Sequence, residues 1–211
     1  MVTPIKKHLE EKTTHKVLKL GGSLLEIGRN LVRYLLMREL DVVIIPGGGP
    51  FANAVRQYSK SLSNDASHWM AVLAMEQYAF YLADGTGCRL IDDVIDMPPG
   101  VSVLLPFKMV YENDPLPHSW DVTSDAIAAW IAGKLETDLV VAKDVDGIYI
   151  NNELVRLIRA SELSFETCID TTLPEVLSQH KLKCIIINGT YFKRVSDALC
   201  GKDVIGTRVI V

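Results

Sequence analysis

Two uninterrupted apolar runs, Val42-Val43-Ile44-Ile45 and Cys184-Ile185-Ile186-Ile187, constrain this chain more than any other feature. Neither has a polar side to turn towards water. A strand built from either must be covered on both faces, which is the environment of a parallel strand between two helix layers. The rest of the sequence alternates in the same sense. Strands are predicted over 15–20, 42–45, 89–91, 101–105, 139–142, 148–150, 184–187 and 207–211. Helices are predicted over 27–40, 51–60, 67–84, 124–135, 172–178 and 192–199. Asn151-Asn152, between Tyr149-Ile150 and Leu154-Val155, reads as a hairpin turn. The segment between the strand at 101–105 and the helix at 124 is rich in proline and histidine and reads as a loop. The expected fold is α/β, a three-layer αβα sandwich with a mostly parallel central sheet. No linker, repeat or low-complexity run divides the chain, so residues 1–211 read as a single domain.

Two strand exits carry glycine: Lys19-Leu20-Gly21-Gly22-Ser23 and Pro46-Gly47-Gly48-Gly49-Pro50. Glycine lets backbone N–H groups approach a ligand closely, and the helix start that follows carries positive potential. Neither exit is a Walker loop or a G-x-G-x-x-G fingerprint. A single glycine turn is ordinary in an α/β protein, but two of them with a lysine between apolar neighbours are not. Lys19 costs free energy to desolvate unless it meets an anion. Paired cradles of this kind suit phosphoryl transfer between two bound molecules, where catalysis is mostly positioning and charge neutralisation.

Two further segments carry charge at element ends. In Asp121-Val122-Thr123-Ser124-Asp125-Ala126, Ser124 is a plausible N-cap and Asp125 lies in the first helical turn. In Lys143-Asp144-Val145-Asp146-Gly147-Ile148-Tyr149 a buried strand ends in charge, at the edge where ligands of open α/β sheets bind. The bulk composition excludes other classes. The net charge of −4 gives no basic footprint for nucleic acid. Four scattered cysteines, Cys88, Cys168, Cys184 and Cys200, form neither a zinc pattern nor a disulfide framework and suit a reducing cytosol. No apolar run is long enough for a membrane span or export signal, so a cytoplasmic location is expected.

The ordered set Lys19-x-Gly21-Gly22-Ser23, Gly47-Gly48-Gly49, Thr123-Ser124-Asp125-Ala126, Lys143-Asp-Val-Asp146-Gly147-Ile-Tyr149, Asn188-Gly189 and Gly206-Thr207 resembles the amino acid kinase superfamily. The resemblance runs over residues 15–211 and implies the carbamate kinase-like fold. It implies an ATP- and Mg²⁺-dependent kinase with no metal-binding side chains assigned. Lys19 and Asp125 would be catalytic, Lys19 on the transferring phosphoryl group and Asp125 organising the lysine and substrate. Gly21, Gly22, Ser23, Lys143, Asp146, Gly147 and Tyr149 would hold the nucleotide. Gly47, Gly48 and Gly49 would bind the acceptor. Asn53 falls where isopentenyl phosphate kinases carry a phosphate-binding histidine, and Arg56 adds a fork suited to phosphate.

Acetylglutamate-type kinases carry a second lysine where this chain reads Phe165 to Glu175 with none. Lys143, Lys193 and Arg194 are the candidates to supply that charge, or the metal carries more of it. The pattern, with Cys168-Ile-Asp170-x-x-Leu173-Pro174-Glu175, is most similar to the archaeal kinases of methanofuran biosynthesis. Those convert (5-(aminomethyl)furan-3-yl)methyl phosphate to its diphosphate. Glu76, on a helix rich in large apolar residues, is the expected partner of the acceptor ammonium. Uridylate kinase is the alternative enzyme, and an ATP-binding molybdate or tungstate storage protein the alternative of another class. The family implies a homo-oligomer, with Trp69, Tyr78, Phe80 and Tyr81 as an expected interface.

Overall fold

A computed structural model describes residues 15–95 and 97–211. In chain order the elements are β1 (Lys16–Leu20), α1 (Leu25–Met37), β2 (Val42–Pro46), α2 (Gly49–Tyr58) and α3 (Asn64–Ala83). There follow β3 (Arg89–Ile91), β4 (Val101–Leu104), α4 (Phe107–Asn113), α5 (Ser124–Lys134) and β5 (Leu139–Lys143). The chain ends with β6 (Tyr149–Ile150), β7 (Glu153–Leu154), β8 (Leu157–Arg159), α6 (Leu173–His180), β9 (Cys184–Asn188), α7 (Phe192–Leu199) and β10 (Thr207–Ile210). One eight-stranded sheet runs in the order β3-β4-β2-β1-β5-β9-β10-β8. The pairs from β3 to β9 are parallel, and β10 lies antiparallel to β9 and parallel to β8. The sheet is therefore mostly parallel, with its last two strands reversed.

The strand period of two divides the core between the two faces. Leu18, Leu20, Val42, Ile44, Val140, Ala142, Ile185 and Ile187 pack with α1 and α7 on one face. Val17, Val43, Ile45, Leu139, Val141, Cys184 and Ile186 pack with α5 and α6 on the other. The same alternation puts Lys19 on the second face, two residues beyond Val17. Lys143 follows Leu139 and Val141 to that face too. Because Lys19 pairs in register with Val141, the two lysines end adjacent strands on the side covered by α5. Strand alternation alone thus brings two cations together under one helix.

The structure departs from expectation in particular places. The stretch read as a proline- and histidine-rich loop contains α4, a seven-residue helix that begins after Pro106 and ends at Asp114 in a left-handed turn, φ 43°. Its brevity leaves no periodicity to read. The strand β8 was not expected. The hairpin at Asn151-Asn152 is present, with φ 51° and 65°, the two positive values a tight two-residue turn requires. The expected interface residues do not share a surface. Tyr78 is fully buried, Trp69 packs edge-on against Phe107 and Tyr111, and Tyr81 lies under Arg29. Of the four only Phe80 is exposed. No helix among the described residues is long and apolar enough to cross a membrane.

Candidate active site

The carboxyl ends of β1, β2 and β5 are tied together by backbone hydrogen bonds. Gly21 N–H donates to Ala142 O at 2.9 Å, Gly47 N–H to Leu20 O at 2.8 Å, and Gly189 N–H to Lys143 O at 2.7 Å. The two glycine exits therefore meet. A Cβ at Gly47 would lie 2.7 Å from Gly22 N, and one at Gly22 would overlap the Gly49 backbone. The glycines let two strand exits converge on one place, where any side chain would force them apart. Beyond them the chain turns directly into helix. Neither the turn from Gly22 nor α2 has a side-chain cap, so their first N–H groups stay open to a ligand. Gly49, at φ 52°, opens α2 in a conformation that favours glycine.

Beneath the exits lies a buried ion cluster. Asp125, in the first turn of α5, is 1 % exposed. Its Oδ2 accepts a hydrogen bond from Lys143 Nζ at 2.7 Å. Its Oδ1 lies 2.7 Å from Lys19 Nζ, an ion pair at an angle too poor for a hydrogen bond. Lys143 Nζ also donates to Cys168 O. Burial would raise the Asp125 carboxyl, but the two ammonium groups override it and hold it below the usual carboxylate range. Burial pulls Lys19 below the ordinary lysine value, despite the carboxylate beside it. Two lysines flank Asp125 under the glycines, and Asp170 stands beside it, its N–H donating to Asp125 Oδ2 at 3.3 Å.

The start of α5 is fixed by residues far apart in the chain. Thr123, not Ser124, is the N-cap, and its Oγ1 accepts from Asp125 N–H at 3.3 Å. Asp170 Oδ2 then accepts from Thr123 N–H, Thr123 Oγ1 and Ala126 N–H at 3.0, 2.7 and 3.0 Å. Its Oδ1 accepts from Leu173 N–H at 2.7 Å, at the head of α6. Asp170 thereby locks two helix starts and orients Asp125. The Ile-Asp-x-x-Leu-Pro stretch signals it in the sequence, although its partners do not.

A cavity of about 500 Å³ opens above the cluster. Gly22, Ser23, Gly48, Gly49, Asn53, Arg56, Ser124 and Lys143 form its polar end. Ala71, Val72, Met75, Trp120, Val122 and Ile127 form an apolar wall, with His68 beside them. The Arg56 guanidinium lies over the Trp120 ring, 4.8 Å from its centroid. Ser23 Oγ donates to Asp144 Oδ1 at 3.0 Å.

Several expected site residues lie outside the cavity lining. Gly21 and Gly47 are in the exits that shape it, and Lys19 and Asp125 are in the cluster behind. Asp146 pairs with Arg194, and exposed Tyr149 sits on the β6–β7 hairpin. Gly147 packs against Thr207, whose hydroxyl a Cβ would strike. Glu76 must be corrected. Its Oε1 accepts from Phe107 N–H at 3.0 Å, at the head of α4, and it does not line the cavity. One oxygen of the carboxylate is taken up by an open helix start. Trp120, Val122 and His68 were not assigned to the site from sequence.

The chain matches the amino acid kinase family over residues 89–188. It is 34% identical over 209 residues to (5-(aminomethyl)furan-3-yl)methyl phosphate kinase of Methanocaldococcus jannaschii, covering 92% of this chain and 97% of that one. Among solved structures, uridylate kinase from Archaeoglobus fulgidus superimposes with a TM-score of 0.67 at 17% identity, over 92% of this chain and 99% of its own. UMP kinase from Bacillus anthracis gives 0.64 at 14% identity, over 93% and 96%. The two structures share the fold, whereas the first relative shares sequence along nearly its whole length. The chain belongs to the amino acid kinase family.

Proposed function

We propose that the protein transfers the γ-phosphoryl group of ATP to a small phosphorylated acceptor, (5-(aminomethyl)furan-3-yl)methyl phosphate, giving its diphosphate. The observation that carries this is the buried Lys19–Asp125–Lys143 cluster beneath two uncapped glycine-led helix starts, beside a cavity with an apolar wall. The polar end suits phosphate groups, and the apolar wall suits a small flat ring. The full-length similarity to the archaeal furan phosphate kinase supports the choice of acceptor.

In the transfer, an oxygen of the acceptor phosphate forms a bond to Pγ. The bond from Pγ to the β,γ-bridging oxygen breaks, and ADP leaves with that electron pair. A phosphate monoester is already largely ionised at neutral pH, so its oxygen needs no base to activate it. This agrees with Asp125, which is locked between two lysines and free to take no proton. Lys19 and Lys143 would stabilise charge on the moving phosphoryl group, and the N–H groups after Gly22 and Gly48 would hold the flanking phosphates. Asn53 and Arg56 would fix the acceptor phosphate. Among the described residues no group of three or more His, Cys, Asp or Glu side chains could hold a metal ion. Mg²⁺ bound with the nucleotide would neutralise charge on its phosphates. Four unpaired cysteines suit a cytoplasmic location.

A coupled ADP-release screen tests the assignment. Furan phosphate, uridylate and isopentenyl phosphate are offered in turn with ATP and Mg²⁺. ADP release dependent on the furan phosphate is expected, and release with uridylate alone would overturn the assignment.

A further inference from the structure

The cavity has no carboxylate among its lining residues, and Glu76 is committed to α4. An acceptor ammonium must be met by something else. In the cavity lining, His68 stands on the second turn of α3, only 7 % exposed. Its Nε2 is buried with no hydrogen-bond partner among the described residues. The ring borders both the main cavity and a smaller pocket of about 20 Å³ next to it, which Asn64, Ser67, Ser119 and Trp120 also line. That volume is of the order of one water molecule, the size of an ammonium head.

The charge behind the ring has the matching sign. His68 stacks on His118 at 4.3 Å between centroids. His118 Nδ1 lies 2.7 Å from Asp65 Oδ1, and its Nε2 lies 2.8 Å from Asp114 Oδ1. The hydrogen bond to Asp65 does most to raise His118, whose ring bridges the two carboxylates. With two carboxylates on one imidazole, the trio is net negative. Burial, with His118 next, pushes His68 down to about 4. The His68 ring is therefore neutral at physiological pH and able to offer a lone pair.

We infer that His68 and the small pocket beside it recognise the ammonium group of the acceptor, with His68 Nε2 accepting its hydrogen bond. The inference deepens the proposed function and rests on it. The phosphate lies at the glycines, the ring against the apolar wall, and the ammonium at the buried imidazole. An acceptor without the amine leaves Nε2 unpaired and the net negative trio uncompensated, which makes the amine a source of specificity. His68 would thus determine specificity and take no part in the transfer itself.

The test compares kcat/KM for the aminomethyl acceptor with that for its analogue bearing methyl in place of aminomethyl. Both are measured in the natural protein and in His68→Leu. The natural protein should favour the amine by ~10²-fold, the scale on which an unpaired buried polar group begins to discriminate. His68→Leu should lose about that factor on the amine and change less than about threefold on the analogue. An equal loss on both acceptors overturns the inference, as does no loss at all. If His68→Leu does not fold, the natural protein decides alone, because equal use of the two acceptors overturns the inference without any variant. Activity on neither furan acceptor would bring down the proposed function, and this inference with it. Activity on both without amine preference would remove only the inference.

Discussion

Asp125→Ala should lower the free energy of unfolding by about 3–5 kcal/mol, the usual cost of removing one partner from a buried ion pair. The variant leaves Lys19 and Lys143 side by side under the sheet with no anion between them. Their side chains are 5% and 15% exposed, so water reaching Lys143 from the cavity compensates only in part for the carboxylate. Asp125 is not the helix cap, since Thr123 and Asp170 fill that role. Loss of a cap alone would cost only about 1 kcal/mol, which separates the two explanations. Urea denaturation should show a large fall in midpoint, and an unchanged midpoint would mean that the cluster is not held by charge. The acid limb has a definite sign. Asp125 titrates below the usual carboxylate range in the fold. The pairing is therefore fully present above about pH 4, the ordinary carboxyl value, and is lost as pH falls through the lowered one. Asp125→Ala should lack that part of the acid transition.

Lys19→Met should behave in the opposite way, losing rate and keeping stability. Methionine fills much of the same volume among Val17, Val43 and Ile45, and Asp125 keeps Lys143 as its partner. Burial already disfavours the charged form of Lys19, so its removal relieves a desolvation cost. On the proposed mechanism, what is lost is a positioned ammonium that would stabilise the transferring phosphoryl group. That loss is worth ~10²–10³-fold in kcat, with a much smaller change in the KM for ATP. A folded Lys19→Met protein with natural kcat would remove Lys19 from the transfer. The pair of variants thus distinguishes a residue that holds the site together from one that acts within it.

Much of this site was legible in the sequence because it depends on local chemistry. The glycine exits need glycine wherever two strand ends converge, and Gly22, Gly47 and Gly49 do converge. Lys19 and Lys143 share a face because strands alternate with a period of two. The parts that were hidden depend on distant partners. Thr123 caps α5 with help from Asp170, 47 positions away, which no local pattern encodes. Glu76 was read as a substrate partner because α3 is apolar over much of its circumference. A lone carboxylate on such a helix shows that it needs a partner without showing which. The partner is the head of α4, a helix too short to announce itself. His68 was submerged in the same apolar run. Only its unpartnered Nε2, its stack on His118 and the two pockets it borders distinguish it from a core histidine.

The central claim is that this cluster carries a phosphoryl group from ATP to a phosphate already on the acceptor. Its most direct measurement uses ATP labelled in the γ-phosphate, Mg²⁺ and (5-(aminomethyl)furan-3-yl)methyl phosphate, with the products resolved by phosphorus NMR. The predicted result is a furan diphosphate whose terminal phosphate alone carries the label, formed in step with ADP. Label appearing only in inorganic phosphate, or passing to uridylate while the furan phosphate stays unchanged, would contradict it.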